Sequence, residues 1–278
     1  MSFSKVGLIS NIFLFIIKGY VGILSGSLAL LSDAINSFTD ILASIGILIA
    51  VKEGEKRKDS DHPYGHHAAE PLSAFVVSIL AAILAFEILR SAIEGIIFPR
   101  TLTIDIFVFL VIIITMVTKL LLLIYFKSIE KKNKGQAVQA YILDSRNDIL
   151  ISGVVFLGVF FTYFDYPIFD SISAILVSLY IFKTAFDLGK KNVNFLMGGA
   201  PDRKKINEIK STASSLKEIK EIKSIKAHYF GDTLHVHIIA TVNRNLSLIK
   251  VHKIEENLIS KIHSIKDVSE VSVHMEPD

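Results

Sequence analysis

Six stretches of this chain are long and apolar enough to span a membrane, and nothing constrains the fold more. They cover residues of about 5–25, 28–51, 71–97, 102–126, 138–163 and 168–189. A helix needs about 20 mostly apolar residues to cross roughly 30 Å of hydrocarbon. In lipid each backbone N–H and C=O must find its partner within the protein, so each stretch is expected to be an α-helix. Turn residues fall where such helices must end: Gly22, Ser25 and Gly26 between spans one and two, Pro99 between three and four, and Asp165–Pro167 between five and six. The segment Lys5–Gly22 resembles a signal peptide only superficially, because no small-residue cleavage site closes it and further spans follow; it is expected to be the first span.

Basic residues give the expected orientation. Lys52, Lys56, Arg57 and Lys58 follow span two, Lys127, Lys131, Lys132 and Lys134 follow span four, and Lys190 and Lys191 follow span six; the other side carries only Arg100. By the positive-inside rule both termini are cytoplasmic, in a multi-pass protein of the cell (inner) membrane. The formal net charge of +3 is accounted for by these loops and implies no nucleic-acid partner. After the six-span domain (1–190) and a linker (191–202), residues 203–278 change character, becoming rich in Lys, Glu and His. The pattern there predicts helix 203–217, strand 219–229, a turn at Gly231–Asp232, strand 233–243, helix 246–263 and strand 267–276. The expected fold is a membrane all-α six-helix transmembrane bundle plus a small cytoplasmic α+β (αββαβ) C-terminal domain.

Charged groups at bilayer depth are expensive unless they face a partner, a cavity or an ion, which makes them functional candidates. Span two contains Asp33, Asn36 and Asp40, and span five contains Asp144, Asn147 and Asp148. Residues four apart on a helix share a face, so Asn36/Asp40 and Asp144/Asp148 each present two oxygen ligands in one direction. Two such faces opposed make a four-ligand site. Its three carboxylates carry a formal charge of −3, which a low-dielectric slot tolerates only with a cation or protons. With no cysteine in the chain, thiolate ligation is excluded. Asp33 lies on the same helix roughly 10 Å outward of Asp40 at 1.5 Å per residue, where an exit-path role and a plain helix-end role are both open. Lys18, Glu87 and Lys119 are expected to snorkel or pair and receive no role.

Two further histidine groups stand out. In the loop after span two, Asp59, His62 and His66 are brought together by a turn, because Pro63 and Gly65 forbid a continuous helix; such a set can hold a borderline cation such as zinc, although a metal-free loop is the competing reading. The tail holds His228, His235, His237, His252, His263 and His274, with Glu276 and Asp278. His235 and His237 share one strand face, and so do His274 and Glu276, so neighbouring strands could cluster them.

Six spans, paired polar motifs in spans two and five, an Asp-x-x-His-x-x-x-His loop and an αββαβ tail together resemble the cation diffusion facilitators over essentially the whole chain. The resemblance implies a homodimer that exports divalent metal from the cytoplasm in exchange for protons. It places the transport site on Asn36, Asp40, Asp144 and Asp148 and a loop site on Asp59, His62 and His66. A tail site falls on His252 and His274, with Glu276 in an aspartate position; Ile239 stands where the family has a strand histidine, and His237 is the substitute on the same face. Ala68 and Met197–Gly198 stand where some members carry a lysine–aspartate charge lock, so the cytoplasmic domain is expected to carry more of the dimer contact.

Zinc-type members usually have a histidine in one of the helix pairs. Here every transport-site ligand is an oxygen, which suits Mn²⁺, as in the manganese-exporting branch the Asn/Asp combination resembles. Zn²⁺, Fe²⁺ and Co²⁺ are the alternatives, since the Irving–Williams order gives zinc the tighter binding at most oxygen sites. The metal is thus expected as substrate and possible regulator, with no catalytic cofactor. An enzyme is not expected, because the histidine loop lacks a helix-borne general base. A passive channel is the remote alternative, since a site of charge −3 holds a divalent ion too tightly for fast conduction.

Overall fold

A computed structural model describes residues 3–54, 56, 58–98, 102–130, 136–231 and 233–278. Arg57, Pro99, Arg100, Lys131, Lys132, Lys134 and Asp232, invoked above for turns and orientation, lie outside these described residues.

Six helices are long and apolar enough to cross a membrane. They are α1 (Phe3–Ser25), α2 (Leu28–Gly54), α3 (Ala69–Ile97), α4 (Ile106–Glu130), α5 (Gln136–Tyr163) and α6 (Ile168–Leu196). Helix α6 runs on through the first half of the stretch expected to be linker, because residues 190–196 contain neither Pro nor Gly to stop it; Gly198, at φ +70°, then takes the left-handed conformation that ends a helix.

The chain divides into two compact units. In the first, built from residues 1–46 and 76–189, small and branched side chains interlock: Ala29 and Leu30 of α2, Ala85 of α3, Ile112 of α4, Val155 and Val159 of α5, and Val177 and Ile181 of α6 form one buried core. Apolar residues such as Ile16, Ile83, Leu121 and Leu176 point outward, as a chain dissolved in lipid requires.

Short connections register the helices that matter for the site. Gly26, at φ +73°, turns the chain between α1 and α2. The first N–H groups of α2 then meet the Asp170 carboxylate from the first turn of α6. That carboxylate accepts from Leu28 N (2.7 Å), from Ala29 N (3.4 Å) and from the Ser27 hydroxyl (2.5 Å). A buried anion thus satisfies a helix N-terminus inside the membrane domain, where water cannot. Helices α5 and α6 approach closely at Gly158, where an added Cβ would lie 2.3 Å from Ser173 Oγ and 2.9 Å from the Phe169 carbonyl oxygen.

The second unit takes in residues 47–75 and 190–278. Its tail folds as α7 (Arg203–Ser214), β1 (Glu221–Phe230), β2 (Thr233–Val242), α8 (Leu248–His263) and β3 (Val268–Pro277). The expected αββαβ order is present, with boundaries shifted by a few residues. Strand β2 is central, antiparallel to β1 and parallel to β3, with α8 as the crossover that a parallel pair requires. Alternate residues Leu234, Val236, Ile238 and Ala240 bury against Ile209 and Ala213 of α7 and Leu258 and Ile262 of α8. The opposite face bears His235 and His237, with Tyr64 of the loop after α2 lying beside His235.

Candidate metal centre

In the transmembrane unit α2 and α5 set their polar residues against each other. One carboxylate oxygen from each of Asp40, Asp144 and Asp148 lies within 4.8 Å of the others. Asn36 joins them by donating its side-chain N–H to Asp148 Oδ1 at 2.7 Å. Rotating that amide by half a turn would present its oxygen instead, so the residue that braces the cluster is also equipped to ligate. Asp40 Oδ2 is buried and has no hydrogen-bond partner among the described residues. A buried carboxylate oxygen left without a donor is costly and calls for a cation or a proton.

Two lysines that the sequence reading left without a role complete this region. Lys119 of α4, 2% exposed, contacts Asp148 Oδ2 directly and donates to Asn11 Oδ1 of α1 at 2.7 Å. Lys18 of α1, 1% exposed, donates to the Asp33 carboxylate and backbone oxygen, both at 2.9 Å, and to Ser37 Oγ at 2.6 Å. Ser152 of α5 closes that group with a 3.1 Å hydrogen bond to Asp33 Oδ2. Neither lysine snorkels. Lys119 sits eleven residues inside the end of α4, about 16 Å at 1.5 Å per residue, which is beyond the reach of its side chain. That depth, legible in the sequence, was the signal that marked it. Asp33 is thus buried in the second turn of α2 in an ion pair, a partner that neither role expected of it required.

In the second unit Asp59, His62 and His66 converge, each offering a ligand atom within 4.8 Å of the others. Gly65 makes the turn at φ +92° and donates its N–H to the His62 carbonyl oxygen at 2.9 Å. The imidazole centroids stand 4.3 Å apart. The N–H of His62, donating to Asp59 at 2.7 Å, holds that carboxyl below the usual aspartate range, so it is an anion ready to bind. Tyr64 lies at a tilt beside Phe230 and His235, with ring centroids 5.9 and 5.5 Å away, and Lys58 reaches Glu270 at 3.4 Å, so the loop lies against the sheet.

The tail set does not converge within one chain. Among the described residues His237, His252, His274 and Glu276 form no three-ligand group. His237 pairs across the ladder with Ser272, His274 with Ile239, and Glu276 with Thr241. Glu276 is engaged at 2.5 Å by Lys223, which draws its pKa down. His252 lies on α8, whose core residues pack on the other face of the sheet, and sits near Glu255 and Glu256.

Along its whole length the chain is similar to known proteins. A family profile described as the cation efflux transmembrane domain matches residues 4–197, and one described as the cation efflux protein cytoplasmic domain matches residues 201–278. An uncharacterised transporter of Methanocaldococcus jannaschii is 33% identical over 98% of this chain and 96% of its own. The manganese efflux system protein MneS of Bacillus subtilis is 32% identical over 94% and 90%, and the cation-efflux pump FieF of Shewanella oneidensis 26% over 99% and 93%. From end to end the chain is that of a multi-pass cation efflux transporter, a member of the cation diffusion facilitator family in the branch that resembles its manganese exporters.

Proposed function

We propose that this chain is a secondary active transporter that carries Mn²⁺ out of the cytoplasm in exchange for protons. The convergence of Asp40, Asp144 and Asp148 beside Asn36 is the observation that carries the reading. Hard oxygen ligands suit Mn²⁺, and two of the relatives, MneS and MneP of Bacillus subtilis, are named for manganese efflux. The ion enters from the side marked by Lys52, Lys127, Lys190 and Lys191, which makes both termini cytoplasmic. A carboxylate holds either a proton or a metal ion at one oxygen, so external protons expel the metal once the site opens outward, and competition for one charge is the coupling.

The remaining sites fit a regulatory part. Asp59, His62 and His66, with two imidazoles, suit a softer ion such as Zn²⁺ and favour zinc as the alternative cargo or effector. The tail pairs two chains in a homodimer, and His237, His252, His274 and Glu276 form a metal site only when a second chain supplies the missing ligands. Metal there shifts the transport equilibrium only through different affinity for the two states.

The test is uptake of Mn²⁺, Zn²⁺, Fe²⁺ and Co²⁺ side by side by purified protein in liposomes. Mn²⁺ should move fastest, accelerate with an opposing proton gradient, and stop in Asp40→Asn and Asp144→Asn. Equal transport with the gradient collapsed and no proton counterflow would remove the antiport claim; unaltered transport by both variants would remove the site.

A further inference from the structure

We propose that Lys119 is the resident cation of the transport site: its ammonium holds the place on Asp148 that a divalent ion must win, and thereby limits how tightly the ion is bound. The inference rests on the transport-site reading above.

Both oxygens of Asp148 are already engaged, Oδ1 by the Asn36 amide at 2.7 Å and Oδ2 by Lys119, while Asp40 Oδ2 has no donor among the described residues. An arriving ion therefore meets carboxylate oxygen open to it at Asp40, and engages Asp148 only by displacing a donor. Asn36 yields by turning its amide; Lys119 yields only by withdrawing a full positive charge. Asn11 Oδ1, 2.7 Å from the ammonium, is a neutral acceptor on α1 to which Lys119 stays tethered when it lets go of Asp148.

The charges fit one divalent ion. With its protons released, the set Asp40, Asp144 and Asp148 contributes −3 and Lys119 +1, so the deprotonated site stands at −2 and an M²⁺ brings it to zero. Without Lys119 the loaded site stays at −1 and the empty one at −3. A buried site of that kind binds a divalent ion well and releases it badly, whereas a carrier must do both. Lys18 cannot take this part. Its three contacts, to Asp33 Oδ1, the Asp33 carbonyl and Ser37, consume its charge in a separate pair.

Lys119→Met and Lys119→Arg test this by Mn²⁺ calorimetry in detergent and by initial uptake rates in liposomes. Removing a cation from within a few ångströms of the ion should tighten binding roughly 10- to 100-fold. In Lys119→Met both KM and kcat should then fall, because release becomes slow, while Lys119→Arg, which keeps the charge, should not tighten binding. A merely structural partner of Asp148 would give the opposite sign, since its loss weakens the site. Unchanged or weaker binding in Lys119→Met overturns the proposal, as does equal tightening in Lys119→Arg.

If Lys119→Met does not fold, Asp148→Asn is compared with Asp148→Asn/Lys119→Met, which removes both members of the pair. Tighter Mn²⁺ binding in the double variant supports the resident cation, and equal or weaker binding overturns it. Wild-type protein that shows no Mn²⁺ binding sensitive to Asp40→Asn sinks the transport-site reading itself; wild-type binding with no tightening sinks only the role of Lys119.

Discussion

Asp33 decides between a structural and a transport role for the second polar layer of the bundle, and Asp33→Asn is the substitution that separates them. In the folded protein Lys18 and Asp33 are each 1% exposed, joined at 2.9 Å, with Ser37 and Ser152 filling the remaining hydrogen-bonding capacity. Removing one partner of such a pair strands the other charge in a low-dielectric interior and costs about 3–5 kcal/mol. Against a total stability of about 5–15 kcal/mol this is a large fraction. It should lower the thermal midpoint in detergent by on the order of 10 °C. Lys18→Met/Asp33→Leu, which removes both charges, should recover most of that loss, giving a coupling of about 2 kcal/mol or more between the sites. Transport by the double variant in liposomes should persist, because Asp40, Asp144 and Asp148 are untouched. The reasoning is refuted if Asp33→Asn melts with the wild type yet fails to move metal, since Asp33 would then lie on the ion path.

Asp144→His places an imidazole in the oxygen set and should shift selectivity toward zinc; unchanged Mn²⁺/Zn²⁺ uptake ratios would count against ligand softness as the basis of choice. Gly158→Ala should cost about 1–3 kcal/mol, since the Phe169 carbonyl cannot retreat from a Cβ at 2.9 Å, and Ser173→Gly should restore part of it, both read as thermal midpoints. In the tail, Lys220 and then the Arg244 N–H hold the Asp278 carboxyl down at about 2. A depressed carboxyl stabilises fully above its ordinary value of about 3.9, and that contribution is lost as pH falls toward 2. Hydrogen exchange in β3 should therefore rise between about pH 4 and 2 in wild type and depend less on pH in Asp278→Asn; identical profiles would remove Asp278 as the cause.

How much of this was legible follows from the kind of physics involved. The six spans and the αββαβ tail depend on local apolar periodicity, which any window of the chain displays. The pairs Asn36/Asp40 and Asp144/Asp148 needed only helical spacing and the cost of charge in lipid. The loop site needed only Pro63 and Gly65 to force a turn. Lys18 and Lys119 are different. Their depth was visible, but whether each cation completes an ion site, cancels a distant carboxylate or does neither depends on which helices are neighbours, and spacing along one helix says nothing of that. The tail histidines show the same limit in reverse: period-two spacing puts them on shared strand faces, yet the ladder sets His237 opposite Ser272 and His252 stands on a helix that packs on the other face.

The sequence by itself determined that this chain lives in a membrane, that two of its helices carry carboxylates at matched i,i+4 spacing, and that no thiolate is present. Only the tertiary structure decided that Asp33 is paired with Lys18, that Asp148 is shared by Asn36 and Lys119, and that Asp40 Oδ2 has no donor among the described residues. The reason is that a residue's cost in lipid is a local property, whereas the partner that removes this cost comes from another helix, more than a hundred residues away in the case of Asn36 and Asp148.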